Sequence, residues 1–274
     1  MLDIWREKIK VRFGDVDRSD RLTLGSIFGF FQEAAISHAA ELGVGRDVLA
    51  GSGQGWVLSR LSLFVERRPA YGETVEVSTW PRGSERLFAL RDYVIKGEDG
   101  TTLVRGRGAW LVLDIEKRRP LRVQPIVEPM PHNDGIYAFP AGPADLQPRG
   151  NLERTNERRA LYSDIDFYGH ANNARYVQWI QDATDMEILT KADQMRLDIN
   201  YLSEVKPGET VELWVARFDG AVPGECADGG KNTTSEDYPQ QAGPAFAYEG
   251  RRPLNEGPLN DSTGQAVFRA ELRT

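Results

Sequence analysis

The chain has 274 residues, which is long for one domain and suits two domains of moderate size. Hydrophobic residues make up 40% of the chain, too large a share for a disordered protein. The formal net charge of −7 argues against nucleic acid as a partner, and no apolar run is long enough to span a bilayer.

The start of the chain and its cysteine content bear on the compartment. Charged residues interrupt the stretch 1–8, so the sequence predicts no signal peptide with an apolar core. The single cysteine, Cys226, cannot form an internal disulfide or a cysteine-based zinc site. These features predict a reducing, cytoplasmic location. Because no clustered His and Cys ligands occur, the sequence also predicts a protein without a metal ion or cofactor.

The first half of the chain shows the periodicities of one strand, one helix and several further strands. Alternating apolar residues at 9–13 predict a half-buried strand, and apolar residues at helical spacing over 27–35 predict a long helix. Alternation returns at 61–65 and 75–77, and Asp99-Gly100 is a hairpin-turn signal. This order predicts an antiparallel sheet packed on one long helix.

Three later segments define the predicted domain organisation. Residues 120–150 are rich in Pro and Gly, which is typical of a connection between domains. Residues 218–264 are richer still in turn formers and predict a long strand connection, after which 267–272 predict a closing edge strand. We therefore predict an N-terminal domain over 1–128, a linker over 129–150 and a C-terminal domain over 151–274.

An internal repeat relates the two halves. The stretch Phe13-Gly14-Asp15-Val16-Asp17 corresponds to Tyr162-Ser163-Asp164-Ile165-Asp166, an offset of 164 − 15 = 149 positions. A second block, Tyr71-Gly72-Glu73-Thr74-Val75, corresponds to Pro207-Gly208-Glu209-Thr210-Val211, an offset of 208 − 72 = 136. The repeat predicts an α+β chain of two fused copies, each an antiparallel sheet curled around a long central helix.

The polar stretch 164–176 of the second copy lies between a predicted strand and the start of the predicted helix. Asn172 or Asn173 is a natural helix N-cap, and the positive helix end beside it can stabilise an oxyanion. Asp166 could act as nucleophile or base or could orient His170, whose imidazole is a side chain that can move a proton. Glu204, from the strand that follows, is a third candidate.

This stretch resembles the signature of the hotdog thioesterases, Asp-x-Asp-x-x-Gly-His-x-Asn-Asn-x-x-Tyr. The whole chain is similar to the plant acyl-ACP thioesterases and their bacterial relatives, and three stretches of the first copy carry that similarity: 56–60 (Trp-Val-Leu-Ser-Arg), 79–81 (Thr-Trp-Pro) and 107–110 (Arg-Gly-Ala-Trp). The resemblance implies two fused hotdog domains. It also implies hydrolysis of fatty acyl-acyl carrier protein, with release of free fatty acid, in fatty acid biosynthesis.

The resemblance also implies roles for individual residues. It assigns catalytic roles to Asp166, His170 and Glu204. A fourth catalytic position, an asparagine in the family, is occupied by Tyr168, which can still donate a hydrogen bond. Val205 occupies the position of a cysteine once proposed as nucleophile in the plant enzymes, which excludes a thiol mechanism there. We expect two further residues at the helix start to contribute to substrate binding: Asn172 and Asn173. The implied partner is acyl carrier protein, and a homodimer is compatible with the sequence.

The two copies differ at the positions expected to carry the chemistry. The first copy keeps Asp17 but has Arg21 in place of His170 and Arg68 in place of Glu204, so we expect no independent active site there. Arginine clusters could bind the acidic carrier protein, and they occur at 67–68, 105–107, 117–119 and 158–159.

Three alternatives to hydrolysis of acyl-acyl carrier protein remain open from the sequence. An acyl-CoA thioesterase would use the same motif, and an enoyl-thioester hydratase of the same fold would also pair Asp with His. A non-catalytic acyl-binding protein is the third alternative.

Overall fold

The computed structural model describes residues 3–139, 142–218, 244–253 and 264–274. The chain divides into two compact units, Met1–Pro143 and Ala144–Thr274. This division falls inside the predicted linker of residues 129–150. The beginning of that linker belongs to the first unit, because Met130 packs in a cluster of buried apolar residues with Leu42 and Val112.

The first unit is an antiparallel sheet in the order β1-β3-β4-β5-β2, with the short β6 paired to β5. One long helix, α1, packs against it, as the helical spacing predicts. The phenyl ring of Phe31 on α1 stacks on Tyr93 with 4.6 Å between ring centroids. A Cβ at Gly106 would lie 2.7 Å from this phenyl ring, so glycine there permits the close approach. The elements of this unit are β1 (Trp5–Lys10), α1 (Leu24–Glu41), α2 (Arg46–Gly51), β2 (Gln54–Val65), β3 (Thr74–Glu85), β4 (Phe88–Gly97), β5 (Thr102–Asp114), β6 (Arg119–Pro120) and α3 (Gln124–Val127).

Two local predictions in the first unit have different outcomes. The hairpin at Asp99-Gly100 is confirmed: it joins β4 to β5, and Gly100 has a φ of +82°. The strand predicted to reach Phe13 ends earlier. Phe13 begins a 3-10 turn in which the backbone N–H of Arg12 donates to Asp15, and its side chain is 82% exposed. The turn ends the strand because it satisfies the backbone locally.

The second unit is an antiparallel sheet in the order β8-β11-β10-β9-β7. The prediction of a closing edge strand at 267–272 is wrong in position, because β11 pairs with both β8 and β10 and is interior to this unit's sheet. The elements of this unit are β7 (Glu153–Arg159), α4 (Asn173–Asp182), α5 (Met186–Lys191), β8 (Met195–Tyr201), β9 (Thr210–Phe218), β10 (Ala245–Arg251) and β11 (Ala266–Arg273).

The prediction of a long central helix is wrong for the second unit. Helix α4 has only 10 residues, and a separate helix, α5, follows it. The break has a local cause. The Thr184 hydroxyl donates to the Ile180 carbonyl, and Asp185 caps the next helix by accepting from the Glu187 backbone N–H at 2.7 Å. A helix N-cap residue has extended backbone angles, so one helix cannot continue through it.

The prediction of an unbroken strand connection over 218–264 is also wrong, because β10 lies within it. This strand pairs with β9 on one side and β11 on the other and is buried along almost its whole length. A strand buried on both faces does not show polar–apolar alternation, so the surrounding turn formers concealed it. The rest of that segment, 219–243 and 254–263 with Cys226, lies outside the described residues.

A deletion experiment follows from the register of β9 and β10. Phe218 and Ala245 are direct partners in the ladder, so a short hairpin turn can replace residues 219–243. We expect this variant to fold and to unfold cooperatively in urea, as judged by circular dichroism. A deletion extended through Arg251 removes an interior strand and should abolish the cooperative transition of the second unit. Loss of folding in the shorter deletion would contradict this boundary.

Candidate active site

A tight loop presents Asp166 and His170 between β7 and α4. The Asp166 backbone N–H donates to the His170 carbonyl at 3.0 Å, and the Gly169 N–H donates to the Asp166 carbonyl at 3.0 Å. Gly169 has a φ of +82°, a left-handed conformation that glycine adopts without strain. The sequence Asp-x-x-Gly-His therefore closes a turn that holds Asp166 and His170 in one hydrogen-bonded unit.

The start of α4 follows this loop directly. Asn172 is the N-cap, as predicted for this pair of asparagines: its side chain accepts from the Ala174 N–H at 2.8 Å. Asn173 is the first helical residue, and its carbonyl accepts from the Tyr201 hydroxyl. Both side-by-side asparagines thus help to fix the helix start, and their contribution to substrate binding stays a prediction. The positive end of the helix lies beside His170.

The segment after β8 brings Glu204 to the loop. The Ala171 backbone N–H donates to the Val205 carbonyl at 2.8 Å, which fixes the segment beside the helix start. His170 Nε2 and Glu204 Oε2 are 3.1 Å apart, and both side chains remain partly exposed. The geometry therefore brings Glu204, the third candidate from the sequence, beside His170 and the helix start.

The His170–Glu204 contact has a consequence for the histidine ring. When Nε2 carries the proton and donates it to the Glu204 carboxylate, Nδ1 is left as the proton acceptor of the neutral imidazole. A carboxylate in this position also stabilises the imidazolium that forms after proton transfer. The pair therefore has the arrangement of a general base with its orienting carboxylate.

Burial raises the pKa of the Asp166 carboxyl above its ordinary value, against the opposing effects of the Tyr168 backbone hydrogen bond and of His170. A carboxylate with a raised pKa is a stronger base than an exposed one. The hydrogen bond comes from the Tyr168 N–H to Asp166 Oδ1 at 2.9 Å, a contact that any residue type except proline could make. The Tyr168 side chain is 51% exposed and its ring lies 4.3 Å from that of Phe167, so a catalytic role for this side chain stays a prediction.

The first unit contains the same loop. The Asp17 N–H donates to the Arg21 carbonyl at 2.9 Å, and the Ser19 N–H donates to the Asp17 side chain at 2.9 Å. The Leu22 N–H donates to the Pro69 carbonyl, as the Ala171 N–H does to the Val205 carbonyl. The internal repeat read from the sequence is therefore a repeat of backbone geometry.

The chemistry of the first loop is different because an ion pair occupies it. Arg68 binds Asp17 at 2.5 Å, and its side chain is only 4% exposed. Although burial alone would raise the pKa of Asp17, hydrogen bonds from Ser19 and Arg68 lower it. An arginine cannot accept a proton at neutral pH, so this loop lacks a general base. The expectation that the first copy has no independent active site agrees with this arrangement.

A metal-binding cluster and a membrane-spanning helix are both absent from the described part of the chain. Within residues 3–139, 142–218, 244–253 and 264–274, no group of three or more His, Cys, Asp or Glu side chains is arranged to hold a metal ion. No helix in the same ranges is long and apolar enough to cross a membrane.

Comparison with known proteins gives the family. The model of the acyl-ACP thioesterase N-terminal domain matches residues 3–129, and that of the C-terminal domain of the same family matches residues 151–239. The chain belongs to the acyl-ACP thioesterase family. Two family domains in this order agree with the repeat, and the loop at 164–172 falls in the match to the C-terminal domain.

Individual relatives are distant in sequence. A chloroplastic acyl-[acyl-carrier-protein] hydrolase of Cuphea viscosissima is 24% identical over 221 residues, which cover 73% of this chain and 52% of the relative. The chain thus spans about half the length of such curated relatives.

Solved structures support the fold. An acyl-ACP thioesterase from Bacteroides thetaiotaomicron has a TM-score of 0.73 and 22% identity, covering 99% of this chain and 97% of its own. A 12:0-ACP thioesterase from Umbellularia californica has a TM-score of 0.74 and 20% identity, covering 98% and 93%. The prediction of an α+β chain of two fused hotdog domains is confirmed.

Proposed function

We propose that this acyl-ACP thioesterase family member hydrolyses the thioester of fatty acyl-acyl carrier protein and releases a free fatty acid. The observation that carries the proposal is the contact of 3.1 Å between His170 Nε2 and Glu204 Oε2, beside the start of α4. Asp166, with its raised pKa, lies in the same hydrogen-bonded loop. A base, its orienting carboxylate and a positive helix end are the groups that acyl transfer requires.

In the proposed reaction, His170 Nδ1 accepts a proton from water as the water oxygen attacks the thioester carbonyl. The Glu204 carboxylate stabilises the imidazolium, and the helix start stabilises the negative charge on the carbonyl oxygen. Collapse of the tetrahedral intermediate breaks the carbon–sulfur bond, and the imidazolium returns the proton to the departing thiolate. Asp166 either holds the water or attacks the carbonyl itself to form an acyl anhydride, which water then hydrolyses.

The test is a panel of thioesters with matched acyl chains on acyl carrier protein, on coenzyme A and on pantetheine. We expect thiol release with the highest kcat/KM on the carrier protein. A higher kcat/KM on coenzyme A would support the acyl-CoA thioesterase instead. Consumption of an enoyl thioester without thiol release would indicate a hydratase, and acyl binding without turnover would indicate a binding protein.

A docking surface for the acidic carrier protein is part of the proposal, and the structure narrows the arginine clusters that could form it. Arg68 and Arg107 are buried in ion pairs with Asp17 and Asp92. Because they are buried, Arg68 and Arg107 cannot contact a partner protein. The docking clusters predicted from the sequence therefore lose these two residues. Exposed positions remain at Arg67 and Lys117, which pair with Glu73 and Asp114, and at Arg118, Arg119 and Arg159.

Charge reversal at Arg118, Arg119 and Arg159 tests docking directly. We expect Arg159→Glu, or the pair Arg118→Glu and Arg119→Glu, to lower kcat/KM for acyl-acyl carrier protein about tenfold at low salt while leaving acyl-pantetheine unchanged, because only the carrier protein presents an acidic surface. Raising the salt concentration should shrink the difference. Equal effects on both substrates in both variants would remove these surfaces from the proposal.

The homodimer and the cytoplasmic location also remain proposals, and sedimentation velocity tests the dimer.

A further inference from the structure

One side chain that the sequence analysis did not single out makes several contacts to the segment that carries Glu204. Arg252 lies immediately after β10, and its backbone N–H donates to the Gln265 carbonyl at 3.0 Å. The Arg252 side chain therefore extends from the end of the paired strands β10 and β11. A side chain anchored at both its backbone and its head group is well suited to fixing a neighbouring segment.

The guanidinium of Arg252 spans the backbone and side chains around Glu204. One terminal nitrogen donates to the Glu204 carbonyl at 2.5 Å, and the other donates to the Ser203 hydroxyl at 3.1 Å. The first nitrogen also lies 3.4 Å from the Glu209 carboxylate. The planar fork of arginine supplies several donors in fixed directions, which a lysine could not reproduce.

Tyr176, which lies on α4, also holds the segment that carries Glu204. Its hydroxyl accepts from the Val205 N–H at 3.1 Å and donates to the Ser203 carbonyl at 3.5 Å. Burial raises the pKa of Tyr176, so the hydroxyl stays protonated and can fill both roles. Tyr176 holds the backbone through Ser203 and Val205, whereas Arg252 holds the carbonyl of Glu204 itself.

We propose that Arg252 is a positioning residue that fixes the Glu204 carboxylate against His170 Nε2. The inference rests on the proposed function and adds a residue outside the signature motif. Glu204 is 45% exposed, so neighbouring side chains do not enclose its carboxylate. Its position depends on its backbone, and the only side chains seen to hold the backbone polar groups of 203–205 among the described residues are Arg252 and Tyr176. Small displacements of a catalytic group cost large factors in rate.

The kinetic test is a double-mutant cycle on acyl-acyl carrier protein. Arg252→Ala should lower kcat by up to about 100-fold with KM changed less than about threefold, because the residue aligns a catalytic group. In a chain that already carries Glu204→Ala, the same substitution should change kcat less than about twofold, since Arg252 then has no carboxylate to position. The proposal is overturned if the two substitutions lower kcat by independent factors that multiply in the double variant. It is also overturned if Arg252→Ala leaves kcat unchanged at matched folded fraction.

Arg149→Ala is the matched control. The Arg149 side chain is 31% exposed, close to the 27% of Arg252, and it pairs with Glu271 rather than with the segment 203–206. We expect this control to leave kcat within about twofold and the pH profile unchanged. An equal loss of kcat in both variants would mean that Arg252 serves general stability.

A second measurement separates failure of the positioning role from failure of the proposed function. Hydrogen exchange of peptides covering 203–206 should accelerate at least tenfold in Arg252→Ala and stay unchanged in Arg149→Ala, with or without turnover. Unchanged exchange would refute the positioning role even if the protein is active. A protein without activity on any thioester would refute the proposed function while the exchange result still decides on Arg252.

Discussion

His170→Ala should lower kcat for acyl-acyl carrier protein by about 10²–10⁴-fold, the usual effect of losing a general acid–base group. Its partner Glu204 orients the imidazole, so Glu204→Ala should cost less. Asp166→Asn should also cost about 10²–10⁴-fold, because an amide can neither attack the carbonyl nor accept the proton of a water. Steady-state kinetics on one acyl chain length, with each variant at matched folded fraction, provides the measurement.

The Asp166 substitution also has a predicted sign for stability. Burial raises the folded-state pKa of Asp166 above its unfolded value, so this group favours the folded state at low pH. That contribution is lost as pH rises through the folded pKa. At neutral pH Asp166→Asn should therefore be at least as stable as the native protein while being much less active, and native activity should fall as pH drops through the same raised pKa.

Arg21→Ala in the first unit is the kinetic control for His170→Ala, because the two residues occupy equivalent loop positions. We expect its kcat to stay within a few-fold of the native value. If Arg21→Ala abolishes turnover while His170→Ala retains it, the active site lies in the first unit and the assignment to the second unit is refuted.

Asp17→Ala should have its main effect on stability instead. Removing this carboxylate takes away the ion-pair partner of Arg68, whose side chain is only 4% exposed. Breaking a buried pair by removing one partner typically costs about 3–5 kcal/mol, and we expect the lower end because Asp17 itself is 20% exposed. Urea unfolding measures the loss, and kcat at matched folded fraction should stay within a few-fold.

The pH dependence of this loss has the opposite sign from that of Asp166. Hydrogen bonds from Ser19 and Arg68 outweigh burial and lower the folded-state pKa of Asp17, so the pair stabilises the protein fully above the unfolded pKa of about 4. The stability difference between native protein and Asp17→Ala should shrink as pH falls through the folded pKa. Arg21→Ala, an exposed change in the same loop, should stay within about 0.5 kcal/mol throughout, and an equal loss there would contradict the ion-pair explanation.

Several differences between the expected and the observed elements share one physical cause. Local periodicity reports which side chains face water, and it carries no information about which strands become neighbours. Strand β10 shows no polar–apolar alternation because it is buried on both faces, and the local pattern of β11 does not reveal that it pairs with both β8 and β10. The long helix expected in the second copy is two shorter helices, because Asp185 caps a new helix that begins at Met186.

The sequence by itself determined the duplication, the order strand, helix and strands in each copy, and the loop that carries Asp166 and His170. These features depend on contacts between residues close in the chain, such as the Asp-x-x-Gly-His turn and the Asn172 cap. Only the tertiary structure decided the partners that come from distant segments. Glu204 meets His170, Arg68 closes the first loop on Asp17, and Arg252 holds the Glu204 segment, because strand pairing brings together residues that no local pattern connects.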